Sequence, residues 1–265
     1  MARRTPVPAT SPLLALSLVT LAAGLPASGA PAGEGAHRSA ARTGEFGSPP
    51  EAAAVIGNPA ALEPPPFGLP FAAPPGPDTW LFTQPYGNTV FAFRQRRTFY
   101  AAGQGLHFGV DLGAPCGTEV VAIGDGIVVG IDQGAHGAGP HNLMIDHPNG
   151  YASFYGHLLE RPPLRLGDEV RRGQGIARTG DPDLSCTSRP HLHLEIRDAP
   201  AHRRAFNPLR LIDADWNRIV LAGGVPLGFA VDLGDPRRWQ LLGDQPEIAF
   251  GGPLLNDYAA AWPPR

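Results

Sequence analysis

The sequence predicts an all-β domain over roughly residues 78–210, and three observations carry that prediction. Glycine (34) and proline (31) are both abundant in 265 residues, which favours short strands and tight turns over long helices. No long stretch repeats its apolar residues at helical spacing. Several short runs instead alternate apolar and polar residues between turn signals. Hydrophobic residues make up 43% of the chain, enough to build a packed core.

The N-terminus reads as an export signal over residues 1–29. Arg3 and Arg4 give a short positive start, and "LLALSLVTLAAGL" (13–25) is an apolar run of signal length. "PASGAP" (26–31) supplies a helix breaker and small residues, placing the cleavage near Ala27 to Ala30. An uncleaved membrane anchor is the alternative, although the run is short for a bilayer span. Residues 30–77 are rich in Ala, Pro and Gly and end in "PPPFGLPFAAPPGP" (64–77). That stretch reads as a tether with few core-forming residues.

Within the domain, "TEVVAIGDGIVVGID" (118–132) predicts a hairpin around Gly124-Asp125-Gly126. "NLMIDHPNGYASFYGHLLE" (142–160) predicts a second around Pro148-Asn149-Gly150. "LGDEVRRGQGIARTG" (166–180) reads as a chain of short turns, and "HLHLEIR" (191–197) as a strand. Residues 211–265 read as a short β/loop extension of unknown role. It could complete the barrel, pack separately or contact a cell wall.

Composition closes off several function classes. The net charge of -3 leaves no basic footprint for nucleic acid. No lysine occurs, which excludes a biotinyl or lipoyl carrier and any Schiff-base enzyme. Two cysteines in an exported chain suit one disulfide, Cys116 to Cys186. The closed loop would give about 4 kcal/mol in the chain-entropy model. Two free buried thiols are the alternative.

Candidate chemistry sits on three strands. His107 and Asp111 fall on one strand face, with Phe108, Val110 and Leu112 on the other. His191, His193 and Glu195 share a face opposite Leu192, Leu194 and Ile196. Tyr151, Ser153, Tyr155 and His157 share a face opposite Ala152, Phe154 and Leu158. Each pair alone is weak: an imidazole beside a carboxylate forms a salt bridge as readily as part of a metal site. Three in-phase polar stripes backed by apolar ones strengthen the metal reading. Zn2+ fits two imidazoles and one carboxylate better than magnesium or calcium, which need more oxygen ligands. Two distant cysteines do not supply a thiolate-closed structural site. His136 and His141 read as surface loop residues and His147 as structural. Tyr151 and Tyr155 either line the groove or pack.

"GLHFGVDLGAPCGTEVVAIGDGIVV", "NLMIDHPNGYASFYGHL", "GDEVRRGQGIARTG" and "PHLHLEI" stand in the order and spacing of the lysostaphin/LytM-type zinc endopeptidases. The resemblance covers roughly residues 100–197. It implies a two-sheet antiparallel β-groove, barrel-sandwich-like, and cleavage of peptide bonds in bacterial peptidoglycan. It implies His107, Asp111 and His193 as zinc ligands, and His157 and His191 as the catalytic histidines. Glu195 is placed to orient a histidine or to pair with an arginine. The "DPDLSCTSR" loop before His191 departs from the resemblance and bears on substrate choice. The expected setting is secreted or cell-envelope, with membrane contact only through the signal segment; oligomeric state stays open. A non-catalytic wall-binding or regulatory module and a zinc endopeptidase acting on a protein are the alternatives.

Overall fold

In the computed structural model, residues 64–216, 219 and 242–257 are described. The chain divides into Met1–Gly57 and Asn58–Arg265, and every described residue belongs to the second unit. The signal segment, most of the tether and most of the stretch between 217 and 241 lie outside the described residues. Among the described residues no helix is long and apolar enough to cross a membrane.

The described strands run β1 (Leu81–Gln84), β2 (Val110–Gly113), β3 (Glu119–Val121), β4 (Gly126–Ile131), β5 (His141–Asp146), β6 (Tyr151–Leu158), β7 (Glu169–Val170), β8 (Gly175–Arg178), β9 (His191–Asp198), β10 (Arg204–Phe206) and β11 (Ile248–Ala249). All pairings between them are antiparallel. The large sheet follows the order β1-β2-β9-β6-β5-β4-β7, with β10 joining β9 to β11, and β3 and β8 form a second, two-stranded sheet. The antiparallel all-β class is as the sequence predicts.

The position of β9 follows from its residues. Leu192, Leu194 and Ile196 are fully buried and enter the main core beside Val110 and Leu112. Each such side chain stabilises the fold by about 1.5–3 kcal/mol on burial. The strand is hydrogen-bonded on both sides, to β2 and to β6. Its opposite face is polar yet also buried: His193, Glu195 and Arg197.

Three local expectations differ from the structure. The 118–132 hairpin does not form. β3 pairs with β8, and β4 pairs with β5 and β7. The Gly124-Asp125-Gly126 turn is bound to the 171–174 turn instead: Asp125 Oδ1 accepts from Arg172 N at 2.7 Å, and Ala122 N donates to Gln174 O at 2.9 Å. The supposed chain of turns at 166–180 thus contains two strands that draw the would-be hairpin arms apart. The 142–160 hairpin does form, as β5 and β6.

The tether reading also ends too late. Phe67 and Phe71 are buried in the main core, and Phe67 N donates to Leu211 O at 3.0 Å. Two aromatic side chains and the backbone bonds of Gly68 N to Ile123 O and Val121 N to Pro70 O, at 2.8 Å each, hold this part of the run. The described part of the C-terminal extension completes the large sheet through β11, and Tyr86 Oη donates toward the carbonyls of Ala205 and Pro246 at 2.9 Å each.

Two short helices, α1 (Val90–Arg94) and α2 (Pro208–Leu211), escape a periodicity search because each is about one turn long. Their caps are nevertheless in the sequence. Thr89 Oγ1 accepts from Ala92 N at 3.0 Å, and Asn207 Oδ1 accepts from Leu209 N at 3.1 Å with Pro208 at the first turn.

Candidate active site

β2 and β9 lie side by side with Asp111 and His193 as direct cross-strand partners. His107 precedes β2 and is not part of the strand. Its backbone exchanges two hydrogen bonds with Gly87, at 2.7 and 2.8 Å, and its Nδ1 donates to Pro85 O at 2.8 Å. Gly87 has φ of 94°, and a Cβ there would lie 2.7 Å from Gln245, so glycine is required where the loop crosses His107. Gly109 lets β2 approach β9: a Cβ would stand 2.6 Å from Leu194 O and 2.9 Å from His193 Cε1.

Three donor atoms converge. His107 Nε2 lies 3.2 Å from His193 Nδ1 and 3.2 Å from Asp111 Oδ1, and His193 Nδ1 lies 2.8 Å from Asp111 Oδ1. Among the described residues this is the one group of three His, Cys, Asp or Glu side chains with the geometry to hold a metal ion. Pro85 O only accepts, so His107 donates from Nδ1 and points Nε2 into the site.

His193 is gripped from both sides. Its Nδ1 faces Asp111 and its Nε2 lies 3.0 Å from Glu195 Oε1. Burial favours a neutral ring, but the two carboxylates overcome it and push the imidazole up to about 9. Asp111 is held well below the usual carboxylate range: burial would raise it, yet the charges of His107 and His191 and the hydrogen bonds of His107 and His193 win. The site therefore calls for positive charge between Asp111 and His193, met by a proton or by a cation. Two imidazoles and a carboxylate suit zinc. Tetrahedral bonds of 2.0–2.2 Å imply donor separations of about 3.3–3.6 Å; the two involving His107, at 3.2 Å, approach that range, and the Asp111–His193 pair at 2.8 Å is drawn closer by its hydrogen bond.

Glu195 is itself fixed. Its Oε2 accepts from Arg197 Nε at 2.6 Å, and Arg197 reaches His136 Nδ1 at 3.0 Å while its guanidinium lies over the rings of Phe154 and Phe250. Both readings of Glu195 hold at once: it orients a histidine and pairs with an arginine. His136, expected as a simple surface loop residue, is the outer end of this chain. His147 is structural, bonded to Asp125 O at 2.7 Å and Ser153 Oγ at 2.9 Å.

His157 and His191 flank the cluster with ring centroids 4.7 Å apart. His191 Nδ1 donates to Arg189 O at 2.8 Å, and its Nε2 stands 3.8 Å from Asp111 Oδ1. His157 Nδ1 donates to Gly139 O at 2.5 Å. Both bonds leave Nε2 as the free acceptor. Burial, with the neighbouring charges of His191 and His193, pushes His157 down to about 3 and keeps its ring neutral.

The β6 stripe is a correction. Tyr151, Ser153 and Tyr155 do not face the groove. Tyr155 is fully buried in the core, its hydroxyl accepting from Ile123 N at 2.9 Å, and Ser153 donates to it at 3.1 Å. His157 reaches the site although it is in phase with them, because its φ is 56°. That left-handed residue breaks the alternation after Gly156, the cross-strand partner of His193.

The five residues line one cavity of about 610 Å³. Its other walls include Gln84, Phe91, Phe99, Tyr100 and Arg189, none of which stood out in the sequence, and Phe108, which the alternation placed on the opposite face but which precedes β2 and lines the cavity instead. Tyr100 stacks edge-on to His107 at 5.7 Å and accepts from Gln84 Nε2 at 3.2 Å. Burial, then the charge of Asp111, raises its phenol well above the ordinary range, so it stays neutral. The Cys116–Cys186 disulfide is formed, across a separation of 70 residues.

Comparison with known proteins covers the stretch of chain that carries this site. The family model for peptidase family M23 matches residues 105–208. An uncharacterised metalloprotease of Haemophilus influenzae is 37% identical over 103 residues, 39% of this chain and 20% of that protein. The peptidoglycan DD-endopeptidase ShyC of Vibrio cholerae is 35% identical over 106 residues, 39% of this chain and 23% of that protein. The chain thus matches only about a fifth of the length of either relative. Among solved structures, the catalytic domain of lysostaphin from Staphylococcus simulans is 28% identical, covering 40% of this chain and 77% of that one, with a TM-score of 0.34. Residues 105–208 thus match peptidase family M23, and the relatives similar over that stretch include a peptidoglycan DD-endopeptidase.

Proposed function

We propose that this protein is an exported, zinc-dependent endopeptidase that hydrolyses peptide bonds in bacterial peptidoglycan. The observation that carries the reading is the convergence of His107 Nε2, His193 Nδ1 and Asp111 Oδ1 within 3.2 Å beside two further imidazoles in one cavity. Relatives described as a metalloprotease and as a peptidoglycan DD-endopeptidase support the metal and the substrate. Export rests on the signal-like residues 1–29.

His107, Asp111 and His193 would hold the zinc, with Pro85 O and Glu195 fixing the two rings. When bound, zinc supplies Lewis acidity toward a scissile carbonyl and acidifies water. His157 and His191 handle protons. Each presents Nε2 as an acceptor, and the ring that takes a proton from water becomes the donor to the departing amine. Their Nδ1 bonds to Gly139 O and Arg189 O hold both rings in place during that exchange. Tyr100 stays a neutral hydroxyl at the cavity wall, able to donate to a carbonyl oxygen.

The test is incubation of the exported protein with purified sacculi of several wall types, with and without a zinc chelator, and mass spectrometry of the released muropeptides. New chelator-sensitive peptide termini are expected, and they identify the bond. Intact sacculi with zinc bound would defeat the reading and favour a wall-binding module or a protein substrate.

A further inference from the structure

The cavity carries one charge that the proposed reaction does not use. Away from the histidines and Asp111, much of its wall is apolar, including Phe91, Phe99, Phe108 and Pro182. Arg189 is the only arginine among the described lining residues. Its side chain is exposed, and among the described residues no carboxylate lies within ion-pair distance of its guanidinium. Arg161, Arg178 and Arg197, by contrast, each have an acidic partner.

The stem of Arg189 is nevertheless fixed. Asp181 is buried and gathers the loop around its carboxylate: Oδ2 accepts from Ser188 N at 3.1 Å and from Arg189 N at 3.2 Å, and Oδ1 accepts from Ser188 Oγ at 2.8 Å. Arg189 O accepts from His191 Nδ1. Cys186, three residues earlier, is tied to Cys116. The anchored backbone thus carries a guanidinium that has no acidic partner among the described residues at the cavity that His191 also lines, and its charge acts on the Tyr100 phenol in the same cavity. An ordinary solubilising arginine needs no such anchoring. A cation at an apolar-walled cleft attracts anions strongly, and guanidinium pairs with a carboxylate through two parallel hydrogen bonds.

We propose that Arg189 is a specificity-determining residue that binds a free carboxylate of the peptide substrate close to the scissile bond. This rests on the reading of the cavity as a peptide-hydrolase cleft. The carboxylate has two possible sources, a side chain of the stem peptide or the chain terminus.

Three synthetic cross-linked peptides test it: one with only the side-chain carboxylate free, one with only the terminal carboxylate free, and one with both amidated. Each is measured for kcat/KM and, by calorimetry, for binding to the zinc-loaded full chain. One carboxylate peptide is expected to be favoured about 10–100-fold over the doubly amidated one, the range of a charge-assisted hydrogen bond, and the arm that shows it names the source. The ratio should collapse toward one in Arg189→Ala, survive in part in Arg189→Lys and invert in Arg189→Glu, with zinc content unchanged. A ratio near one in the unmodified protein, or a ratio kept in Arg189→Ala, overturns the proposal. If no peptide is cut, the hydrolase reading fails by itself, and the carboxylate dependence of binding still decides the role of Arg189.

Discussion

Asp111 and His193 face each other as cross-strand partners on β2 and β9, with Oδ1 and Nδ1 2.8 Å apart. A carboxylate and an imidazole locked in this register form the floor onto which His107 is lowered by the Gly87 crossing. The strand register therefore sets the spacing of the three donors, and substitutions that touch it have readable consequences.

Replacing His107 with Ala removes one of the three donors while leaving β2 and β9 paired. Bound zinc, measured by elemental analysis after dialysis, and hydrolysis of sacculi should be lost together. Hydrolysis retained without zinc would refute the ligand assignment.

Glu195→Gln should weaken zinc binding by about 10–100-fold, the usual effect of disturbing a group that orients a metal-bound histidine. It also leaves Arg197 buried without its carboxylate, which costs about 3–5 kcal/mol of stability. Competition with a chromogenic chelator reads the first effect and urea denaturation the second. A variant with unchanged zinc affinity would show that Glu195 serves only Arg197.

Gly109→Ala inserts a methyl group where the nearest atom, a backbone carbonyl of β9, is 2.6 Å away. The strands must separate, so about 1–3 kcal/mol of stability should be lost. Zinc affinity should fall too, because Asp111 moves with its strand. Thermal denaturation with and without zinc checks both.

The zinc-free protein should lose stability as pH rises from about 6.5 toward 9. In that window the folded state keeps the His193 proton, held by Asp111 and Glu195, and the unfolded state has released it. The folded state binds more protons, so stability falls with rising pH. The zinc-loaded protein should lack this decline, since the cation takes the place of the Nδ1 proton. Melting temperatures of both forms across the window decide it. His157, pushed down to about 3, acts in a separate window: it destabilises the folded state as pH falls below about 6.5.

Reducing the Cys116–Cys186 bond, or replacing both cysteines with serine, should lower stability by about 4 kcal/mol in the chain-entropy model. It should also loosen the 181–189 loop that carries Arg189 O to His191. Hydrolysis should therefore fall even at temperatures where the fold persists, as activity and circular dichroism measured side by side would reveal.

What the sequence determined by itself was the all-β class, the 142–160 hairpin and the polar face of β9, and its family resemblance named the five residues that meet in the cavity. Strict alternation is a local property: at period two, Leu192, Leu194 and Ile196 commit β9 to the core, and His191, His193 and Glu195 follow to the other face. What only the tertiary structure decided depends on partners distant in the chain. β3 and β4 abandon each other because the 171–174 turn captures Gly124 to Gly126. Tyr155 and Ser153 turn into the core while His157 reaches the cavity, because one left-handed residue breaks the alternation that the sequence shows as continuous. Phe67 and Phe71 join the core through contacts with segments more than fifty residues away. The walls around the donor cluster, from Tyr100 to Arg189 and the buried Arg197, arise the same way. No local pattern marks these residues, since burial and electrostatic environment are properties of the packed chain.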